Sequence, residues 1–205
     1  MPRHILILAA GLGSRMRSLR PKVLHKLAGL TLIEHVLRST DPLAPKTTGV
    51  VIGHLGDQVK TGLSQHFSIR FADQQEQLGT GHAVLQAEPL FRGQTGTLVV
   101  LSGDVPLIGS ETLELLLTTH ERRKAALSVL TATLDRPYGY GRIIRRNGRI
   151  TRIVEEREAT ELQKKLKEIN SGIYALDLGT LFSALKEIPP GDSRDEIYLP
   201  GLVSI

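Results

Sequence analysis

The sequence predicts an α/β fold, a mostly parallel sheet with helices on both faces, followed by a half that carries a β-hairpin. Three observations lead there. Short continuous apolar runs such as "HILILAA" and "TLVVLSGD" read as strands buried on both faces. These runs alternate with segments of helical spacing, which implies right-handed crossovers and parallel strands. The second half instead holds two alternating runs joined by Asn147-Gly148, a strong short-range hairpin signal.

Along the chain, "HILILAA" is the first strand, and "TLIEHVLRS" puts Leu32, Ile33, Val36 and Leu37 at helical spacing. "GVVIGH" reads as a second strand, "GDQVKTGLSQH" as a helix and "SIRFAD" as a third strand. "GTGHAVLQAE" opens a helix at a glycine turn, with Thr80 as its cap, and "TLVVLSGD" is the fourth strand. "SETLELLLTTHERRK" is an amphipathic helix with Ser110 as N-cap. "GRIIRRNGRITRIVEE" is the hairpin and "ATELQKKLKE" a polar, solvated helix. "INSGIYAL" is a strand, "DLGTLFSALKEI" a helix capped by Asp177, and "PPGDSRDE" a loop. No internal repeat or low-complexity tract interrupts the pattern.

Composition narrows the function classes. An apolar share of 40% in 205 residues suffices for a core without disulfides. The absence of cysteine removes disulfides and thiolate metal sites, which fits a reducing cytoplasm. A formal charge of +5 suits nucleic acid, but 4% aromatic residues leave few stacking platforms. An anionic small substrate accounts for the charge equally well. No apolar run approaches the roughly 18 residues of a membrane span. Arg3 and His4 before an apolar stretch imitate a secretion signal, yet Gly11 and Gly13 cut that stretch and arginines follow it. A soluble, cytoplasmic chain with no nucleic-acid or membrane partner is expected, its oligomeric state left open.

The chemistry concentrates in "LAAGLGSRMRSLRPKVLH", residues 8–25. Gly11 and Gly13 follow the first strand, at the carboxyl rim where open parallel sheets bind ligands. Glycines there let backbone N–H groups approach a phosphate. A Walker loop is absent, and a dinucleotide fingerprint would need glycine where Met16 stands. Two readings stay open: a triphosphate cradle clamped by Arg15 and Lys22, or a structural turn with solvated cations. Arg15, Arg17, Arg20, Lys22 and His25 within eleven positions favour the cradle.

This stretch resembles the "LAAGxGTRM…PKxLxxxxG" signature of the sugar-phosphate nucleotidyltransferases. "QLGTGHAV", "LSGDVPLI", "YGYGRI", "IVEE", "EINSGIYAL" and "DEIYL" follow in the family's order, so the likeness runs from about residue 4 to 199. It is strongest to the uridylyltransferase half of the bifunctional enzymes that act on N-acetylglucosamine 1-phosphate. The resemblance implies a Rossmann-like sheet with a sugar-binding half, the nucleotide-diphospho-sugar transferase fold. It also implies magnesium-dependent uridylyl transfer from UTP to N-acetylglucosamine 1-phosphate, with pyrophosphate released.

Residue roles follow from the same resemblance. Arg15, Lys22 and Asp104 would be catalytic, with Asp104 the ligand of Mg2+. Leu8, Ala10, Gly11, Gly13, Gln74, Gln77, Gly79 and Thr80 would join Lys22 around the nucleotide, and Gln74 and Gly79-Thr80-Gly81 would read the uracil edge. Gly141, Glu155, Asn170, Ser171, Glu196 and Tyr198 would hold the sugar phosphate. His25 and His82 fall inside motifs, but packing or capping accounts for both. The sugar 1-phosphate carries its own oxyanion, so no nucleophilic side chain or strong base is implied.

Two departures qualify the match. "YLPG" stands where the family has "YLTD", and the family's second magnesium ligand, an asparagine, falls beyond Ile205. No hexapeptide repeat of an acetyltransferase half follows. The expectation is one nucleotidyltransferase domain over 1–205, with a nucleotide half at about 1–110 and a C-terminally incomplete sugar-phosphate half at about 111–205. Relatives that guanylate a molybdenum cofactor start with "LAGG" and lack "QLGTGHA", which sets them further off. Another sugar 1-phosphate and a non-catalytic nucleotide-binding module are the alternatives.

Overall fold

The computed structural model describes residues 1–13, 16–63, 68–189 and 196–205. In chain order its elements begin with β1 (Arg3–Leu8), β2 (Lys26–Leu27), β3 (Leu30–Thr31), α1 (Leu32–Thr40), β4 (Thr47–Ile52) and α2 (Gly56–Leu63). Then come β5 (Arg70–Asp73), α3 (Gly79–Gln86), β6 (Thr97–Ser102), α4 (Ser110–Arg123) and β7 (Leu127–Thr133). The last are β8 (Arg142–Arg146), β9 (Arg149–Val154), α5 (Glu161–Lys164), β10 (Glu168–Asp177) and α6 (Leu178–Glu187).

The two-residue period of a strand decides the layering. In β1, Ile5 and Ile7 belong to one apolar cluster and Leu6 to another. Val99 and Leu101 against Leu98 and Val100 repeat the division in β6. The first cluster takes in α1, α2 and α4, and the second takes in α3 and α6. Helices on both faces explain why these strands read as unbroken apolar runs.

β1 pairs in parallel with β4 on one side and β6 on the other, and β5 extends the sheet beyond β4. The chain thus winds outward through β4 and β5 and returns across β1 to β6. That reversal opens a crevice past the carboxyl ends of β1 and β6. β10 then runs antiparallel to β6 and carries β7 and the β8–β9 hairpin, so the sheet continues into the second half. At the hairpin tip Asn147 and Gly148 have φ of 52° and 76°, the left-handed pair that a two-residue turn demands.

The structure departs from the sequence expectations in local detail. β7, "LSVLTAT", has no equivalent among the expected elements: most of its side chains are half-buried and its extended form comes from pairing with β10. β2 and β3 make a further small hairpin. Neither Ser110 nor Thr80 caps a helix: Ser110 lies inside α4 behind Gly109, and Thr80 lies inside α3. Asp177 occupies the N-cap of α6 without a side-chain bond. The capping boxes stand instead at Thr31 with Glu34 and at Thr160 with Gln163, where each side chain bonds the other's backbone N–H. The polar helix shrinks to the four residues of α5. Residues 64–67 of the expected second helix, and 190–195 of the loop "PPGDSRDE", lie outside the described residues.

Candidate active site

The ladder of β1 runs slightly past its end, with Ala9 N–H donating to the Val51 carbonyl at 2.7 Å. Gly103 N–H donates to the Leu8 carbonyl at 2.9 Å, which holds the segment after β6 beside the segment after β1. Gly13 sits at φ +61°, and a Cβ there would lie 2.8 Å from Cβ of Lys22. The glycine turn therefore rests on the base of the lysine. Buried Val23 and Leu24 anchor the short 3-10 turn Lys22–Leu24. Lys22 Nζ donates to Asp104 Oδ2, and Ser102 Oγ donates to Asp104 Oδ1 at 2.5 Å. Burial pushes the Asp104 carboxyl up, but the bonds from Lys22 and Ser102 outweigh it and hold the group below its usual range.

Asp104 is thus an ionised, half-buried oxygen donor at a strand end, which suits a hard cation. Among the described residues no group of three or more His, Cys, Asp or Glu side chains could hold a metal. The donor set fits magnesium only if phosphates and waters complete the shell, as is usual for this ion.

A cavity of about 1030 Å³ runs from these strand ends to the second half. Leu8, Ala10, Gly11, Gln74, Gln77, Gly79, Thr80 and Asp104 line one part, and Ser171, Glu196 and Tyr198 line another. Gly13 and Lys22 line an adjoining cleft of about 360 Å³. These residues, scattered over the sequence, are the ones the motifs single out. Arg15 lies outside the described residues.

Some of them face inward differently from expectation. Gln74 is buried, and its Nε2 lies 3.2 Å from the Gly79 carbonyl and 3.0 Å from His82 Nδ1. Gln77 Nε2 donates to the Ala10 carbonyl at 2.6 Å. Gln74 ties the two ends of the 74–79 stretch together and Gln77 braces it against the segment after β1, while the two ring nitrogens of His82 meet the Gln74 and Gln86 amides at 3.0 and 2.9 Å. Gly141, Glu155 and Asn170 are not among the cavity-lining residues. Asn170 Nδ2 donates to the Tyr174 hydroxyl at 2.6 Å and its Oδ1 accepts from Gly172 N–H at 2.9 Å. Glu155 packs against Gly141, and burial, aided by Glu158, pushes its carboxyl up against the opposing pull of Arg157.

Three residues of the second half escaped the sequence reading. Arg142 is 1% exposed, pairs with Glu156 at 2.7 Å and donates to the Tyr140 carbonyl. Glu156 also accepts from Gly139 N–H at 3.2 Å, so the pair pins the 138–141 loop, whose Tyr138, Gly139 and Tyr140 line the cavity. Arg157 donates to the Tyr198 hydroxyl at 2.9 Å with its guanidinium 5.2 Å above that ring, while Tyr198 donates to Glu196. The available signal was an arginine inside "YGYGRI" and a charged run directly after "IVEE". No helix among the described residues is long and apolar enough to cross a membrane.

Comparison with known proteins bears out the fold class and the resemblance read from the motifs. The MobA-like NTP transferase domain family matches residues 5–169. The bifunctional protein GlmU of Streptococcus suis (strain 98HAH33) is 46% identical over 203 residues, which cover 98% of this chain and 44% of that protein. Its counterpart in Streptococcus thermophilus (strain CNRZ 1066) is 46% identical over 206 residues, covering 100% and 44%. The chain therefore spans less than half the length of these relatives. Among solved structures, UDP-glucose pyrophosphorylase complexed with UDP-glucose superposes with a TM-score of 0.78 at 19% identity, over 100% of this chain and 86% of that one. That likeness is one of fold.

Proposed function

The chain belongs to the MobA-like NTP transferase domain family, and from that premise we propose that it transfers a uridylyl group from UTP to N-acetylglucosamine 1-phosphate. The products are UDP-N-acetylglucosamine and pyrophosphate. One observation carries this reading: a single cavity has the glycine turn and Asp104 in one part and Ser171, Glu196 and Tyr198 in another, with Lys22 in the adjoining cleft. Its volume of about 1030 Å³ suits a ligand the size of a nucleotide sugar. The choice of uridylyl and of the amino sugar rests on the ordered motifs and on the 46% identity to GlmU.

In this reading an oxygen of the sugar 1-phosphate attacks the α-phosphorus in line. The bond from that phosphorus to the bridging oxygen of the β-phosphate breaks, and pyrophosphate leaves with the electron pair. No base is needed, because the attacking oxygen is already anionic. What the chain must do is hold two polyanions together and offset the charge that develops between them. Gly11 and Gly13 offer backbone N–H groups to the phosphates, and Lys22 brings a cation whose present partner is the carboxylate of Asp104. Arg15 joins them on the strength of the motif. Asp104 would hold magnesium, which supplies positive charge and a template for the phosphate chain when bound. Ser171, Glu196 and Tyr198 orient the sugar, with Gly141, Glu155 and Asn170 placed close behind them.

The 205 residues are read as one nucleotidyltransferase domain, its nucleotide half at about 1–110 and its sugar-phosphate half at about 111–205, working in the cytoplasm. Incubation with UTP, magnesium and a panel of sugar 1-phosphates, followed by pyrophosphate release, tests the assignment. UTP with N-acetylglucosamine 1-phosphate should give the fastest turnover. Equal or faster turnover of glucose 1-phosphate, or of dTTP, would move the chain to a neighbouring activity.

A further inference from the structure

We propose that Gly81 and Thr80, residues the motif assigns to the nucleotide, are positioning residues for the sugar 1-phosphate. They act by seating the segment that carries Glu196 and Tyr198. The inference rests on the reading above, in which those two side chains meet the sugar.

The first turn of α3 leaves backbone N–H groups without helical partners, and Leu78 at its N-cap supplies no side-chain bond. Residues more than a hundred positions later fill the gap. Gly81 N–H donates to the Ile197 carbonyl at 2.8 Å and His82 N–H reaches the same oxygen at 3.3 Å. In return Ile197 N–H donates to the Leu78 carbonyl at 2.8 Å, and Leu199 N–H donates to Thr80 Oγ1 at 3.1 Å. The segment 197–199 is thereby bonded to residues 78–82 through Ile197 and Leu199 on either side of Tyr198.

This seat determines where the neighbouring side chains go. Ile197 lies against Gly81, while Glu196 and Tyr198, on either side of it, line the cavity, the alternation of an extended segment. The approach is too close for a side chain at either glycine. A Cβ at Gly79 would stand 2.4 Å from the Ile197 carbonyl oxygen, and one at Gly81 would stand 2.7 Å from Ile197 Cγ2 and 2.9 Å from the same oxygen. Gly79 has a further reason to be glycine in its φ of +94°. Gly81 does not: φ is not in the left-handed region there, so its missing Cβ is explained by the passage of Ile197 alone. Beyond the seat, buried Leu199 leads into the 3-10 helix Leu199–Ser204, where Gly201 packs on Ile188. A shift at residue 81 is therefore delivered to Glu196 and Tyr198, whereas the glycine turn and the Gln77–Ala10 bond stand apart from it.

The test separates the two substrates. In Gly81→Ala the KM for N-acetylglucosamine 1-phosphate should rise about tenfold or more, since misplacement near 1 Å can cost still more. UTP affinity by calorimetry should fall by a clearly smaller factor, because Gly11, Gly13 and Lys22 on the phosphate side are untouched. Should Gly81→Ala fold poorly, Thr80→Val and Thr80→Ser provide a milder pair. Valine removes the acceptor for Leu199 N–H, so hydrogen exchange at that amide should quicken and the sugar KM should rise about fivefold, the usual weight of one neutral hydrogen bond. Serine should restore both. Parallel losses of UTP and sugar binding, or a serine variant as impaired as valine, would overturn the seat while leaving the proposed activity intact. A wild-type chain that turns over no sugar 1-phosphate would instead remove the functional reading, and this inference with it.

Discussion

In the parallel half, β1 and β6 are buried along almost their whole length, and what faces the cavity there is the glycine turn and Asp104 at strand ends, with Gln74, Gln77 and Thr80 beside them. In the antiparallel half, β7 and β9 keep much of their surface in water, and charged and aromatic groups frame the cavity: Arg142 with Glu156, Arg157 over Tyr198, and Tyr198 on Glu196. The contrast suits the two parts of the proposed nucleotide-sugar ligand. A phosphate chain presents equivalent anionic oxygens, which backbone N–H groups and one ammonium can serve. A sugar presents hydroxyls in a fixed stereochemistry, which side chains held at set angles can tell apart. One half is held in place by burial, and the other by polar groups that bond one another.

The largest expected effect would break the phosphate side of that comparison. Lys22→Ala and Asp104→Asn should each lower pyrophosphate release on the order of 10²-fold or more. Melting temperature should stay within a few degrees of wild type, because both groups sit at the rim rather than in the core. Turnover within tenfold of wild type in both variants would show that the Lys22–Asp104 pair is a structural contact and nothing more.

Arg142→Met probes the other side. It removes the partner of Glu156 and the donor to the Tyr140 carbonyl from a site with almost no solvent access. A melting temperature lower by roughly 5 °C is expected, together with a raised KM for the sugar 1-phosphate. UTP affinity by calorimetry should hold. A loss of UTP affinity as large as the loss on the sugar side would mean that the two halves are not separable in this way.

The smallest effect concerns acid. Burial pushes the imidazole of His4 down, the Thr95 carbonyl opposes this in part and Lys46 adds to it. Burial likewise pushes His120 down against the pull of Asp177 and Glu121. Both histidines bind a proton less readily folded than unfolded, so their contribution to stability is full above about pH 6.5 and is lost as pH falls below it. Between pH 7 and pH 5 the melting temperature should drop by a few degrees, at about 2–4 °C for each kcal/mol in a chain of this size. The carboxylates held low by arginines, Glu121 and Glu168, act only below about pH 4.5 and so fall outside this window, while Glu155, held high by burial, gains a proton more readily when folded and offsets part of the loss. His120→Gln should flatten the profile. A flat wild-type profile over the same range would contradict the assignment.

Much of the fold was legible because its signals are local. The apolar runs of β1, β4 and β6, the helical spacing of Leu32, Ile33, Val36 and Leu37, and the Asn147-Gly148 turn each act within a few residues. β7 went unread for the same reason in reverse. Its half-buried Ser128 and Thr131 and exposed Ala132 and Thr133 carry no strong pattern, and pairing with β10 is what makes it a strand. Thr80 and Ser110 looked like caps because a hydroxyl at a helix start usually is one. At Thr80 a distant amide, Leu199 N–H, takes the hydroxyl instead.

The sequence by itself determined the period of most strands and helices, the glycine turn after the first strand and most of the residues proposed to carry the chemistry. These follow from side-chain size, polarity and backbone freedom, which act on neighbours along the chain. Tertiary structure alone decided that Lys22 meets Asp104, that Arg142 is buried against Glu156, and that Ile197 passes so close to Gly79 and Gly81 that neither can carry a Cβ. Those pairings depend on strand order and register, which the whole core sets through burial. No pattern of a few residues contains that information.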